Sequence, residues 1–573
     1  MPQPAQSTAS TGLLEAYTLA RTARAMSDLF EEHARLTAKY VHACSRGHEV
    51  IQIAAGLKLL PQDYVSCYYR DDSLLLAMGM SPKELMLQLF AKKDDPFSGG
   101  RTYYSHPSLN RPDQPKIPHQ SSATGMQAIP AAGAAMGLKY LSEMGLHSQA
   151  VKDGRQAGVE AVDEAPGVAL CSIGDAAMTE GEVAEAFHMT ALKQLPMVWL
   201  VQDNEWDISA HSSEVRFGDA TTFAKAFPGI EVLSVDGTDW DACHQAMSHA
   251  IDTAREEQRP FMIHASVPLL GHHTSGVRRE FYRDDLEEAA LRDPLPRLHT
   301  ALLDSGVAQE EIDVLHAEID GAVQEAFDAA RASEEPSVDD LLPHRFAPTS
   351  VTEERGQRHA PEGELTLMVD CALHAMQEIM EDHPEALLYG QDVGARLGGV
   401  FRETATLGQK FGDHRVFNTP IQEAFIVGST AGMSATGCRP IVEVQFADYL
   451  AWAEPTLHRT QPQLPLEQRS MAHSQLDSRA HRGLRQWRPL PQLEHRVCVG
   501  QHPRRQGGLP LQRRRPQRPA QGGLRGPQSR GHAGAQRAVL VQNSWHRVRQ
   551  GRRTRPRLLR AARQSPHGPG HRP

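Results

Sequence analysis

Apolar and polar residues are arranged in two separate patterns of alternating strands and helices. In residues 13–60, apolar positions recur at three- to four-residue spacing, which predicts helices. Residues 167–204 read as an apolar strand, a helix beginning near Thr179 and a second apolar strand, and this order predicts a right-handed parallel crossover. A similar pattern fills residues 364–453, with a helix starting at Glu423. The sequence therefore predicts an α/β fold with two parallel sheets, each with helices on both faces, the second domain being incomplete.

Composition divides the chain into five predicted segments. These are a polar leader expected to be flexible (1–12), a first α/β domain (13–345), a polar linker (346–363), a partial second α/β domain (364–453) and a tail (454–573). The overall charge of −10 is the sum of two very different parts. The tail holds 25 arginines, four acidic residues and no Lys, Phe, Tyr or Ile, so its own net charge is +21. Such a tail can form little core, so we expect it to be disordered.

Chain length, hydropathy and cysteine content exclude several classes of protein. A chain of 573 residues can hold two or three domains, and it contains neither an apolar run of membrane-spanning length nor a secretory signal pattern. Its seven cysteines are odd in number and include no C-x-x-C pair, which argues against a disulfide framework and a structural zinc site. These features indicate a cytoplasmic protein without a membrane partner.

The two strands of the first crossover end in oxygen-bearing side chains. Asp175 and Asn204 follow neighbouring strands, where ligands of parallel sheets bind. Their oxygens suit a Mg²⁺ ion whose remaining ligands come from a diphosphate, and the N-terminus of the helix near Thr179 favours a phosphate. The plainer alternative is an aspartate that caps a helix and an asparagine in a turn.

Three other polar motifs precede or follow this one in the first domain. Tyr69 and Arg70 suit a diphosphate, because a guanidinium can donate two parallel hydrogen bonds to phosphate oxygens. Residues 118–130 (PHQSSATGMQAIP) form a serine-rich loop that could equally be an ordinary helix cap. Residues 269–283 (LLGHHTSGVRREFYR) pair two histidines with Thr, Ser and Arg in a loop suited to anions.

The second domain carries one motif, NTPIQEAFIVG at residues 418–428. A carboxyl group at the start of a helix in a dry interface has the raised proton affinity that proton transfer requires. Glu423 occupies that position, although the helix dipole alone also favours a glutamate there.

In order and spacing, these motifs resemble the thiamine-diphosphate-dependent first component of 2-oxo-acid dehydrogenase complexes, with its α-type and β-type halves fused in one chain. The resemblance implies that Asp175, Asn204 and the Trp206 carbonyl bind Mg²⁺. It implies a wider set of thiamine-diphosphate contacts: Tyr69, Arg70, Ser122, Thr124, Met126, Gly174, Asp175, Ala176, Ala177, Asn204, His273 and Glu423. Catalytic roles fall on Glu423, His273, His272 and Tyr449. One departure is Ala176, which stands where the family has a second glycine.

The implied reaction is oxidative decarboxylation of a 2-oxo acid, followed by acyl transfer to the lipoyl group of a partner acyltransferase. The resemblance is closest to branched-chain enzymes acting on 3-methyl-2-oxobutanoate, with pyruvate or acetoin as open alternatives. Intact relatives are expected to be homodimers, and no nucleic-acid partner is implied. A transketolase-type enzyme and a non-catalytic product of a damaged gene are the competing interpretations.

The tail itself indicates a frameshift near residues 452–455. Residues 455–461 (PTLHRTQ) can be encoded so that reading one base later gives Gln-Leu-Phe-Thr-Glu-Leu, a family segment. Residues 483–492 (GLRQWRPLPQ) similarly give Ala-Tyr-Gly-Ser-Gly-Gly-Pro-Tyr-His, the next one, in the same frame. The alternative is an arginine-rich nucleic-acid-binding tail. If the frame is shifted, the chain lacks the β-type histidine that contacts substrate and should not assemble a competent active site.

Overall fold

The computed structural model describes residues 8–118, 123–146, 165–341 and 366–449. The β-strands of the described residues are β1 Tyr64–Ser66, β2 Ala169–Gly174, β3 Met197–Asp203, β4 Glu231–Asp236, β5 Phe261–Ser266, β6 Ala386–Gly390, β7 Val416–Asn418 and β8 Arg439–Glu443. The α-helices of the first half are α1 Thr8–Glu32, α2 Ala34–Thr37, α3 Glu49–Gly56, α4 Asp72–Ala77, α5 Pro82–Leu89, α6 Ala128–Glu143, α7 Gly181–Lys193, α8 Ser212–Val215, α9 Ala220–Ala224, α10 Trp240–Glu257, α11 Leu286–Ala290, α12 Pro294–Asp304 and α13 Gln309–Ala332. The second half adds α14 Met368–Asp382, α15 Leu407–Phe411 and α16 Glu423–Thr436.

The first half is built on a five-stranded sheet with the order β1-β2-β3-β5-β4. All its strand pairs are parallel, and Gly174 at the end of β2 is in register with Gln202 near the end of β3. Strands β2 and β3 are almost entirely buried, as expected for central parallel strands covered by helices on both faces. This register places Asp175 and Asn204 at the same edge of the sheet.

The second half contains a three-stranded parallel sheet with the order β7-β6-β8. Its strands β6 and β8 alternate with helices α14 and α16 along the chain, so the sheet repeats the crossover pattern of the first half. The expectation of two parallel sheets with helices is therefore confirmed for the described residues.

Helices α6 and α16 join the two halves through backbone-to-backbone contact. A Cβ atom on Gly133 would lie 2.2 Å from the Ser429 carbonyl oxygen, and one on Gly432 would lie 1.9 Å from that of Pro130. Neither position therefore tolerates a side chain. One buried apolar cluster includes side chains from α6, β2 and β3 together with others from β6 and α16. The small residues of α6 therefore allow its backbone to pack closely against the second half.

Several local features differ from the sequence expectations. Helix α1 begins at Thr8, ahead of the predicted start at residue 13. The helix predicted from Thr179 begins at Gly181, after a 3₁₀ turn over Asp175–Thr179. The predicted linker and the tail fall outside the described residues.

The structure also shows the helix lengths and the cysteine environments that the composition raised. Among the described residues, no helix is long and apolar enough to cross a bilayer. Six cysteines lie within the described part of the chain, and none of them forms a disulfide there: Cys44, Cys67, Cys171, Cys243, Cys371 and Cys438.

Candidate functional site

Asp175 and Asn204 lie at the carboxyl edge of the first sheet. Asp175 begins the 3₁₀ turn that follows β2, and Asn204 follows β3; both side chains are buried. A backbone group of Asn204 hydrogen-bonds the Asp175 carboxyl group, so the two residues are in contact. The Asn204 Oδ1 accepts a hydrogen bond of 3.0 Å from the Trp206 amide. The structure therefore brings the three predicted metal-site residues together.

Three charged or titratable residues that the sequence patterns did not indicate set the charge balance around Asp175: Arg216, Asp203 and His264. Arg216 donates from Nη2 to the Asp175 Oδ2 at 2.5 Å and from Nη1 to the Asp207 Oδ1 at 2.7 Å. Burial, and then the neighbouring Asp203, raises the pKa of Asp175 to about 7, while Arg216 acts in the opposite direction. Asp203 is in turn paired with the His264 Nε2 at 2.8 Å. The site thus concentrates negative charge that requires positive partners.

A buried polar network beneath the site fixes the orientation of Asn204. Gln202 donates from Nε2 to Asp71 and Ser172, each at 2.7 Å, so its Oε1 must accept the 2.8 Å hydrogen bond from the His48 Nδ1. The other ring nitrogen of His48 then accepts from the Asn204 Nδ2 at 3.3 Å. Burial lowers the pKa of His48 to about 3, which agrees with this neutral ring. The Asn204 Oδ1 is consequently directed away from His48.

Arg70 connects the tyrosine–arginine motif to the paired-histidine loop. Its fully buried guanidinium donates to the backbone carbonyls of His272 at 3.3 Å and His273 at 3.2 Å, and to the Tyr68 hydroxyl at 3.4 Å. These distances are long for a charged donor. Among the described residues, no carboxylate forms an ion pair with Arg70, although buried arginines normally have an anionic partner.

His273 lies at the same place as Arg70 and Tyr69. Its ring centroid is 6.0 Å from that of Tyr69, and its buried Nδ1 has no hydrogen-bond partner in the part of the chain that the structure describes. Burial, and then the charge of Arg70, lowers the pKa of His273 to about 4. A buried arginine without a counter-ion beside an unpartnered imidazole nitrogen is the environment that a diphosphate would complete.

The serine-rich motif packs beside the helix that follows Asp175. A Cβ atom on Gly125 would lie 3.1 Å from the Glu180 side chain, and Gln127 donates to the Ser172 carbonyl at 3.0 Å. Met126 is buried and Thr124 is exposed. Ser122 lies outside the described residues. Ala177 is buried, and the Ala176 backbone is outside the positive-φ region, so its methyl group needs no strained conformation.

Glu423 is buried at the first position of α16 and faces helix α7. Its Oε1 accepts a 2.9 Å hydrogen bond from the Gln391 side chain. On α7, the Glu185 Oε2 accepts from the Phe425 amide at 2.8 Å. Burial raises the pKa of Glu185 to about 7, and the nearby Glu423 acts in the same direction. The interface between the halves therefore places two carboxyl groups together, one from each half.

The side chains of three further predicted residues contact groups other than Asp175 and Glu423. The His272 ring is turned towards Glu31 and Glu280, with its Nε2 3.5 Å from Glu31. Tyr449 is 42% exposed and packs on Phe446, with ring centroids 5.3 Å apart. The Trp206 indole donates to Asp285 at 3.2 Å. The described contacts do not bring these side chains against Asp175 or Glu423.

The side chains present fit a magnesium–diphosphate group. Among the described residues, no cluster of three or more His, Cys, Asp or Glu side chains could hold a metal ion alone, so a cation needs additional oxygens. Diphosphate oxygens would supply them. Arg216 already holds a positive charge against Asp175, and a cavity of about 300 Å³ is lined by both residues. Arg70 and His273 provide the anion-binding side of the same arrangement.

Glu443 and Glu403 form a buried carboxyl pair in the second half. Burial, and then Glu403, raises the pKa of Glu443 to about 10, whereas an unfolded glutamate titrates near 4.3. The folded state therefore retains a proton that the unfolded state releases, and this stabilisation is lost as the pH rises from about 4 towards 10, by about 1.4 kcal/mol per pH unit for one proton.

We expect Glu443→Gln to reduce the loss of stability between pH 6 and pH 9. The amide keeps the volume of the protonated carboxyl and cannot ionise, so the melting temperature of the variant should fall several degrees less than that of the unmodified chain over this range. Scanning fluorimetry at both pH values measures the difference. The exposed Glu325→Gln serves as control, and parallel decreases in both proteins would show that the pair does not hold the proton.

Comparison with known proteins identifies both halves. The family model described as "Dehydrogenase E1 component" matches residues 16–339, and that described as "Transketolase, pyrimidine binding domain" matches residues 368–480. The second match extends past the predicted break at residue 453, so that boundary stays a prediction.

Curated relatives match each half separately. The chain is 27% identical over 326 residues to 2-oxoisovalerate dehydrogenase subunit alpha 2, mitochondrial, of Arabidopsis thaliana, covering 56% of this chain and 63% of that subunit. It is 29% identical over 309 residues to 2-oxoisovalerate dehydrogenase subunit alpha of Bacillus subtilis, covering 52% of this chain and 86% of that subunit. It is also 47% identical over 83 residues to 2-oxoisovalerate dehydrogenase subunit beta of Pseudomonas aeruginosa, covering 14% of this chain and 23% of that subunit.

Proposed function

This chain belongs to the dehydrogenase E1 component family, and from that premise we propose that its two halves form a thiamine-diphosphate site for oxidative decarboxylation of a 2-oxo acid. The observation that carries the proposal is Asp175 beside Asn204 at the carboxyl edge of a parallel sheet. Ligands bind such edges, and the pair supplies oxygen ligands for Mg²⁺.

The chemistry of each side chain supports its proposed role in binding the cofactor. Asp175, the Asn204 side chain and the Trp206 carbonyl would hold Mg²⁺, and Arg70 with His273 would contact the diphosphate. Bound there, the cofactor supplies an electron sink for loss of carbon dioxide. The low pKa of His273 keeps its ring neutral near pH 7, so it can accept a proton or donate a hydrogen bond at that site.

Glu423 is the proposed proton-holding group of the second half. It is buried at a helix start and its Oε1 is already hydrogen-bonded by Gln391, so its other carboxyl oxygen is available to a cofactor nitrogen. A carboxyl group held at hydrogen-bond distance from that nitrogen can exchange a proton with it.

The proposed substrate is a branched-chain 2-oxo acid such as 3-methyl-2-oxobutanoate. The names of the relatives support this choice, since both alpha subunits and the beta subunit are called 2-oxoisovalerate dehydrogenases. The acyl group would pass to the lipoyl arm of a partner acyltransferase, and intact forms would be homodimers in the cytoplasm. Pyruvate or acetoin is the alternative substrate.

We further propose that residues 454–573 are read in a shifted frame and that the chain as written is inactive. The chain would then be a non-catalytic product that retains its diphosphate site. The two family segments recovered one base later, in order and in one frame, support this proposal.

Calorimetric titration with thiamine diphosphate and Mg²⁺ tests the site directly. We expect Asp175→Asn to weaken binding at least about tenfold, because the amide lacks the charge that balances the cation. The exposed Asp313→Asn is the matched control and should leave the affinity unchanged. Equal affinity of Asp175→Asn and the unmodified chain would contradict the assignment of the metal site.

A further inference from the structure

Arg216 forms an ion pair with Asp175, the proposed carboxylate ligand of the metal ion. Its guanidinium joins Asp175 and Asp207, and both the arginine and the Asp175 side chains are at least nine-tenths buried. With Nη2 at 2.5 Å from the Asp175 Oδ2, a Mg²⁺ ion bound to this carboxylate would lie close to a second positive charge, which repels it. Arginine and cation therefore compete for the same carboxylate.

The segment that carries Arg216 is weakly anchored to the core. Arg216 follows the short helix α8, which has no buried residue, and the next residue, Phe217, is 95% exposed. Few apolar side chains of this segment are buried, so polar contacts hold it to the sheet edge: the ion pairs of Arg216 and the hydrogen bond from the Ser212 amide to the Glu205 carbonyl.

The surrounding charges explain why an internal cation is needed. Asp203 and Asp207 lie close to Asp175, and His264 is paired with Asp203. Without Arg216 or a metal, the buried Asp175 carboxylate and two partly buried ones, Asp203 and Asp207, would lie together with a single histidine. A buried unpaired carboxylate is costly, so a positive group that can be exchanged stabilises the empty site.

We propose that Arg216 is an internal counter-cation that Mg²⁺ must displace from Asp175 when the magnesium diphosphate binds. This inference rests on the proposed function, because it takes Asp175 as a magnesium ligand. Displacement frees the segment around Arg216, so cation binding is coupled to movement of residues 207–219. The ion pairs of Arg216 therefore lower the affinity of the site for the metal.

Magnesium pyrophosphate is a suitable probe, because its proposed contacts all lie in the first half and require no turnover. In calorimetric titrations of the full chain at pH 8, we expect Arg216→Ala to bind the probe at least about tenfold more tightly than the unmodified chain, which corresponds to about 1.4 kcal/mol. Arg216→Lys should give an intermediate affinity, since an ammonium cannot bridge two carboxylates as a guanidinium does.

Two further variants keep the test decisive. Arg216→Gln retains a polar side chain of similar length and replaces the alanine variant if the latter does not fold; it should also bind more tightly. Arg297→Ala removes an exposed arginine that pairs with Asp236, and it should leave the affinity unchanged.

The outcomes separate the competing roles. Unchanged affinity in Arg216→Ala and Arg216→Gln would overturn the displacement proposal while leaving the metal site intact. Weaker binding in both, restored in Arg216→Lys, would also overturn it and would make Arg216 a diphosphate ligand. If even the unmodified chain fails to bind the probe, the diphosphate site is wrong and the displacement proposal fails with it. Tighter binding in the variants, together with absence of turnover in a chain whose reading frame is restored near codon 453, would count against the proposed activity alone.

Discussion

Removing one base near codon 453 is expected to convert an inactive chain into an enzyme that reduces an artificial acceptor when a 2-oxo acid is supplied. The restored frame would supply the missing β-type segments, including the histidine that, by resemblance to the family, contacts substrate. Turnover should rise from background to on the order of 1 s⁻¹, within the ordinary range of enzymes. Dye reduction by the two purified proteins, with 3-methyl-2-oxobutanoate and with pyruvate, measures both activity and substrate preference.

The control for this experiment is a single-base deletion placed instead beyond codon 492, downstream of both family segments. It leaves the family segments in the wrong frame and should stay inactive. Acceptor reduction by the chain as written would contradict the proposed frameshift, and a higher kcat/KM for pyruvate would overturn the branched-chain assignment.

Replacing Glu423 by glutamine in the frame-restored chain is expected to lower kcat by about 10²- to 10⁴-fold, the usual contribution of a positioned proton-transfer group. Glutamine keeps the size of the side chain and can still meet Gln391, but it cannot exchange the proton. Binding of thiamine diphosphate should change much less, because the diphosphate contacts lie in the other half. Steady-state kinetics and calorimetry on the same preparation separate the two effects.

Asp382→Asn, an exposed substitution at the end of α14, is the matched control and should retain full turnover. Two results would contradict a proton-transfer role. One is a Glu423→Gln variant with normal kcat, and the other is a variant whose loss of activity follows entirely from loss of cofactor binding.

The sequence predicted those site residues whose position depends on local pattern. Asp175 and Asn204 could be placed together because the ends of neighbouring parallel strands meet at one edge, and Glu423 because it opens a helix. His48 and Arg216 could not be found this way. His48 reaches Gln202 from 154 residues away, and the Arg216 ion pair depends on how a loop folds back on the sheet.

Some signals were present in the sequence but were not specific. Gln202 and Asp203 are polar residues at the end of an otherwise apolar strand, which indicates buried polar partners without naming them. Tyr449 was assigned by resemblance alone, and its exposed ring at the end of the described residues leaves that role a prediction.

The glycine contact between α6 and α16 has a consequence for how the two halves can diverge. At Gly133 and Gly432 the facing backbones touch, so a larger residue on one helix requires the other helix to move. A larger residue at either position is therefore excluded unless the opposite helix is repositioned as well, even if the halves are separate polypeptides. Joining them in one chain raises their effective concentration without relaxing that constraint. Halves taken from different relatives should therefore be exchanged together rather than singly.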